Sequence, residues 1–275
     1  MYMQQMYHTE QVLIEGLTVD GSGGDGLIIS YRKCGPSEPD CYAAQQLGEY
    51  AQSHNITVRD CVFTRNRRQG MSVIGGINVL VEGTLFSSTG SDGLGTDPSA
   101  GVDVEPSERD FLRNVTFRNC RAEENTGAGF AVYLALYNSS HGPVTLTFEN
   151  CSVIGTGSAR PASGRGGMTD HQAGFSFGAM YPGTQGLVKV DGGSVLRTRL
   201  PAVIISDKAL GSTPLRIGGL QVEDVCYAST LCDGSLGCIA KRAYPEGAEV
   251  VPISLLWRKD QCVVLGVASP TLSLC

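Results

Sequence analysis

Four pairs of short segments with alternating apolar residues start the same distance apart in this chain. Val12 to Leu27, Ile56 to Met71, Val115 to Phe130 and Val188 to Val203 each span 15 positions. The first member of a pair reads apolar, polar, apolar, commonly after Asn, as in Asn55-Ile56-Thr57-Val58 and Asn114-Val115-Thr116-Phe117. The second usually opens with Gly, as in Gly26-Leu27-Ile28-Ile29, Gly70-Met71-Ser72-Val73 and Gly101-Val102-Asp103-Val104. Period-two alternation is the mark of a strand with one buried face. Two pairs are longer, 23 for Val79 to Val102 and 29 for Leu146 to Phe175, as expected if loops of 8 and 14 extra residues leave one corner of the repeat. With 36 glycines and 12 prolines the chain turns often and forms few long helices.

A repeat of this length, built from short strands, predicts an all-β solenoid of about seven coils, each stacked about 4.8 Å above the last. Alternate residues then form inward columns. Cys61, Cys120 and Cys151 each lie three residues beyond the last inward residue of a first-type strand and should share one interior column. A leucine-rich repeat needs a Leu-x-x-Leu-x-Leu frame and a helical segment, and neither is present. A β-sandwich accommodates short strands and frequent turns but gives no reason for a recurring offset of 15.

The Asn-Val-x-Ile-x-x-Cys-x-Phe and Gly-x-x-Val frame, running over residues 10 to 222, resembles the right-handed parallel β-helix, or pectin-lyase-like, superfamily. More narrowly, Asn66-Arg67-Arg68-Gln69-Gly70-Met71-Ser72-Val73 followed by Gly101-Val102-Asp103-Val104-Glu105-Pro106 looks like consecutive coils of proteins related to mannuronan C5-epimerases and polysaccharide lyases. The resemblance implies a single-stranded right-handed β-helix acting on an acidic polysaccharide as a uronate lyase or C5-epimerase. A noncatalytic glycan-binding or adhesin-like module is the alternative, and a glycoside hydrolase a minor one. Where the epimerases carry Asp-Pro-His, this chain has Glu105-Pro106-Ser107. The adjacent aspartates and Gly-His-Gly element of polygalacturonase-like hydrolases are missing.

On such a coil Val102 and Val104 point inward, and Asp103 and Glu105 face solvent. Ser72 and Ala131 flank Asp103; Ile74 and Tyr133 flank Glu105. Carboxylates at i and i+2 sit about 6.5 to 7 Å apart on one strand face, close enough to raise one another's pKa or share a cation. Insertions at 90 to 98 and 155 to 172 would wall the groove, whose floor offers Ala131, Tyr133 and Tyr137, with Ser176 on the far side. A third excursion, 32 to 53, would close it lengthwise. Arg67 and Arg68, with Gln69, stand one coil before the carboxylates, where guanidinium forks would hold a sugar carboxylate. Asp170-His171-Gln172 ends the longer insertion.

Both β-elimination and C5 epimerisation of a uronate need its carboxylate neutralised, a base for the C5 proton and a proton donor. Asp103, Glu105, Tyr133 and His171 are the catalytic candidates. Arg67, Arg68, Gln69, Ser72, Asp170 and Ser176 are the substrate-binding ones. Asp103 and Glu105, joined by Asp92 or Asp97, offer the ligand types of a Ca²⁺ site without a spaced calcium motif. No Cys/His spacing resembles a zinc site.

A net charge of -6 opposes general attraction to nucleic acid or an anionic membrane. No apolar run reaches the 18 residues of a membrane span. The ten cysteines, Cys34 and Cys41 spanning a short loop among them, favour a disulfide-forming, extracellular or cell-surface setting. The opening MYMQQMYHTE lacks the pattern of a signal peptide, so a fragment or mature form is expected. Of the Asn-x-Ser/Thr triplets only Asn138 reads as a glycan acceptor; Asn55 and Asn114 fit turn hydrogen bonding. Residues 1–222 form the repeats, and the Cys-rich 223–275 a terminal cap.

Overall fold

The computed structural model describes residues 4–7, 9–30, 52–93, 95–106, 110–137, 142–157, 173–180, 184–198, 202–205, 215–223 and 239–241. All its strands pair in parallel, in three sheets, and the chain visits them in strict rotation. Sheet A holds the second-type strands, five of them opened by Gly: Gln4–Tyr7, Leu27–Ser30, Met71–Val73, Val102–Val104, Phe130–Leu134, Phe175–Met180, Val203–Ile205 and Ile239–Lys241. Sheet B holds the first-type strands, from Glu10–Glu15 to Leu215–Gly218. Successive rungs pair as the offset of 15 requires, Val12 with Ile56 and Val79 with Val115 in sheet B, Leu27 with Met71 and Val102 with Phe130 in sheet A. The all-β parallel solenoid is therefore the observed fold. Ile239–Lys241 adds an eighth strand to sheet A, whereas most of the segment expected as a cap lies outside the described residues.

Sheet C is absent from the two-strand reading of the repeat. Its strands, among them Val62–Thr64, Leu85–Ser87 and Arg121–Glu123, have three residues each. Each sends only its middle residue inward, Phe63, Phe86 and Ala122 here, so none is long enough to alternate visibly.

Single residues with left-handed backbone make the corners. After the last strand residue of sheet B come Gly16, Asp60, Gly83, Asn119, Asn150, Gly192 and Gly219, all with φ between 49 and 70°. After sheet C come Gly21, Arg65, Ser88, Glu124, Gly155 and Arg197. Asn, Asp and Gly tolerate this conformation best, which explains their recurrence. The Asn column inside sheet B is left-handed too and forms an amide ladder, Asn78 Nδ2 donating to Asn55 Oδ1 (3.1 Å) and Asn114 Nδ2 to Asn78 Oδ1 (3.0 Å).

The interior is one apolar column with stacked aromatic pairs, Phe63 on Phe86, Phe117 on Phe148 and Phe130 on Phe175, at centroid distances of 5.6, 5.2 and 5.1 Å. Cys61, Cys120 and Cys151 do share one buried column, with Thr84 between the first two. All three are free thiols, so among the described residues the expected disulfides are not found; Cys34, Cys41 and the five cysteines beyond residue 222 lie outside them. At the corner from sheet C to sheet A the inward column is polar. Asn66 Oδ1 there accepts from the Ser22 N–H (3.1 Å), and Asn125 Oδ1 from the Thr89 N–H (3.0 Å).

Candidate functional site

Parallel register brings residues 28 to 45 positions apart onto one outer face. Ser72, Asp103, Ala131 and Ser176 are lateral partners on successive rungs of sheet A, all pointing away from the core. The expectation that this face meets solvent fails, since Ser72, Asp103, Ala131 and Ser176 are at most 3% exposed. Glu105, Arg67, Arg68 and Tyr133 are only half-buried and form the reachable rim. Tyr137, expected on the groove floor, is buried in the core, and its hydroxyl donates to Gly142 O (3.2 Å).

Asp103 lies under a fixed amide. Gln69 Nε2 donates to Asp103 Oδ2 (2.9 Å), while Gln69 Oε1 accepts from the Ala100 N–H (3.1 Å), which orients the amide. Burial, reinforced by the negative charge of Glu105, pushes the Asp103 carboxyl up to about 8; Arg68 opposes the rise and Asp25 adds to it. At neutral pH Asp103 is thus a protonated acid in which a carboxylate would be costly.

Asp25 is the residue that sequence reasoning missed. It belongs to Gly23-Gly24-Asp25-Gly26, directly before the sheet A strand Leu27–Ser30, and register aligns it with Gln69 and Ala100. Its side chain is fully buried, with Oδ2 accepting from Ser72 Oγ (2.8 Å) and pairing with Arg68 Nη1 (3.3 Å). Its Oδ1 has no hydrogen-bond partner. Burial raises its pKa, with Arg68 and Ser72 pulling the other way. A polar residue just before the opening Gly was the available signal, because the same column holds Ala100, Ala128 and Ala173 in later rungs.

The other expected residues fall out as follows. Tyr133 lies against the next rung, where a Cβ on Gly178 would meet its ring at 2.4 Å. The 90–98 excursion folds back on the arginine turn, with the Thr96 N–H donating to Arg67 O (3.0 Å). Arg65, at the same turn, pairs with Asp20 instead of the site. Asp170, His171 and the longer insertion from 158 onward lie outside the described residues, as does the excursion over 31–51. Among the described residues no three His, Cys, Asp or Glu side chains converge as a metal site, so Asp103 and Glu105 gather no third ligand from Asp92 or Asp97. Among the described residues there is no helix long and apolar enough to cross a membrane.

A concavity of about 700 Å³ opens at the corner between sheets B and C. Asn119, Arg121, Asn150, Ser152, Ser194 and Gln221 line it with amides, hydroxyls and one guanidinium. Arg121 is paired with Glu123 at 2.8 Å.

The family model described as "Right handed beta helix region" matches residues 5–175, well over half of the chain. The chain belongs to the right-handed β-helix family. Among curated proteins it is similar to "Uncharacterized protein YclG" of Bacillus subtilis (strain 168), 28% identical over 145 residues. That alignment covers 50% of this chain and 23% of the relative, so the chain spans under a quarter of the length of the protein it matches. No solved structure matches the chain.

Proposed function

We propose that the outer face of sheet A around Asp103 is a carbohydrate-active site for an acidic polysaccharide, with uronate elimination or C5 epimerisation as its reaction. The observation that carries this reading is a buried, outward-directed carboxylic acid, its pKa raised by burial and Glu105, with the Arg68 guanidinium near it. Arg67 and Arg68 at the rim suit a sugar carboxylate, which guanidinium neutralises so that the C5 proton becomes acidic. Glu105, the reachable carboxylate on the same strand, takes that proton. In elimination Asp103 then gives its proton to the O4 leaving oxygen as the C4–O4 bond breaks and the C4–C5 double bond forms. In epimerisation a proton returns to C5 from the opposite face, a step for which Tyr133 and His171 are the candidates. Gln69 holds the acid, and an extracellular or cell-surface setting fits a polymeric substrate.

The test is incubation with alginate and with pectate, following ultraviolet absorbance of unsaturated uronate and loss of the C5 proton signal in deuterated water. Either signal, abolished by Asp103→Asn, supports the reaction; silence in both with both polymers refutes it. One observation favours a noncatalytic glycan-binding module. The concavity between sheets B and C is open and lined with hydroxyls and amides, whereas the sheet A face is covered. Retardation of a polysaccharide that is lost in Ser194→Trp, without turnover, would support that second reading.

A further inference from the structure

Three consecutive rungs contribute Asp25, Arg68 with Gln69 and Ser72, and Asp103 to one buried polar cluster on the outside of sheet A. Ser72 is the hinge of this group. Its hydroxyl donates to Asp25 Oδ2 at 2.8 Å, and its backbone is the lateral partner of Asp103 on the following rung. Arg68 Nη1 reaches the same Asp25 oxygen at 3.3 Å. The remaining Asp25 oxygen, Oδ1, is buried without a donor. An ionised carboxylate with an orphaned buried oxygen carries a desolvation cost that a well-satisfied core would not tolerate without reason.

We propose that Asp25 is a positioning residue for Asp103, acting across Ser72 from two rungs away, so that the two carboxyls hold a single proton between them. With Arg68 beside them, one carboxylate and one carboxylic acid leave the cluster neutral. Losing the last proton would leave a buried net negative charge. The groups that face Asp103 divide by sign. Glu105 on its own strand and Asp25 favour the protonated form, Arg68 favours the ionised form, and Gln69 fixes one oxygen by donation. When Asp103 gives up its proton, the Ser72 hydroxyl is placed to turn from Asp25 toward the new carboxylate. Asp25 would then keep only Arg68. This deepens the proposed reaction, because it supplies the reason a proton donor persists at neutral pH, but its test needs no substrate.

The experiment is a ¹³C titration of the side-chain carboxyls in the full chain labelled at aspartate, with Asp25 and Asp103 assigned through their Asn variants. In the wild-type protein both resonances should inflect together at the upper step, as coupled sites do. In Asp25→Asn the Asp103 step should move down by about one unit or more, a roughly tenfold loss of proton affinity, whereas Arg68→Gln should move it up. A general loosening of the site would shift both variants the same way. The proposal is overturned if only one aspartate carboxyl resonance of the wild-type protein inflects at the upper step, a reading that requires no variant to fold. It is also overturned if folded Asp25→Asn leaves Asp103 unmoved, or if both variants shift it in one direction. Coupled titration with no turnover of alginate or pectate would sink the reaction and keep the pair; turnover with uncoupled titration would do the reverse.

Discussion

The glycine that opens five of the eight sheet A strands has a steric cause that a single methyl group tests. A Cβ on Gly26 would lie 2.5 Å from Gly70 O, one on Gly70 2.5 Å from Gly101 O, one on Gly101 2.7 Å from Gly129 O, and one on Gly129 2.8 Å from Gly174 O. Each of these carbonyls also accepts from the residue after the glycine, as when the Phe130 N–H donates to Gly174 O at 3.0 Å. The carbonyl therefore cannot swing aside without breaking the ladder. Gly129→Ala is the sharpest case, because its methyl would also meet both Val153 methyls, at 2.6 and 2.7 Å, and Val153 is fully buried. Overpacking of this kind costs about 1–3 kcal/mol, offset by about 0.4–1 kcal/mol from the stiffer unfolded chain. The net loss is then roughly 1–2 kcal/mol, which at a urea slope of about 2 kcal/mol/M lowers the unfolding midpoint by about 0.5–1 M. Gly218 is the control, since a Cβ there meets nothing within 4 Å and its φ is ordinary, so Gly218→Ala should leave the midpoint level or slightly raised. Urea titration followed by circular dichroism compares the two at unchanged slope. Equal midpoints for the two variants would refute the steric account of the glycine column.

Phe117→Ala removes a ring fully buried between Phe148 and Phe130, with centroids at 5.2 and 6.3 Å, and should cost about 3–5 kcal/mol in the same titration; a loss under about 1 kcal/mol would mean the aromatic column is loosely packed. Burial and Glu105 hold the Asp103 carboxyl at about 8 in the folded chain against an ordinary value of 3.8. Between those values the folded state keeps a proton that the unfolded state has lost, so stability should fall as pH rises from about 4 to about 8 and level off above. Asp103→Asn should flatten that slope, measured as the urea midpoint against pH; an unchanged slope in the variant would show that Asp103 is ionised in the folded protein.

What was legible in the sequence follows from how far each signal extends along the chain. Sheets A and B were readable because their strands carry inward residues in alternation, such as Val102 with Val104 and Val115 with Phe117, and because four of the six paired starts are 15 positions apart. Sheet C was not, because a three-residue strand offers one inward residue and no period. The lateral neighbours Ser72 and Ala131 of Asp103 were predictable from register alone. Their burial was not, because alternation fixes which way a side chain points from the sheet and says nothing about what lies over it. The same limit hid Asp25. It stands in the turn column before a strand, where no alternation marks a side chain as facing the site, and only the stacking of adjacent rungs brings it to Ser72 and Arg68. In a solenoid the residues that shape a site are neighbours across rungs rather than along the chain. A search for carboxylates within single strands finds the acid Asp103, while a search down each register column, corners included, also finds the charge that sets its proton.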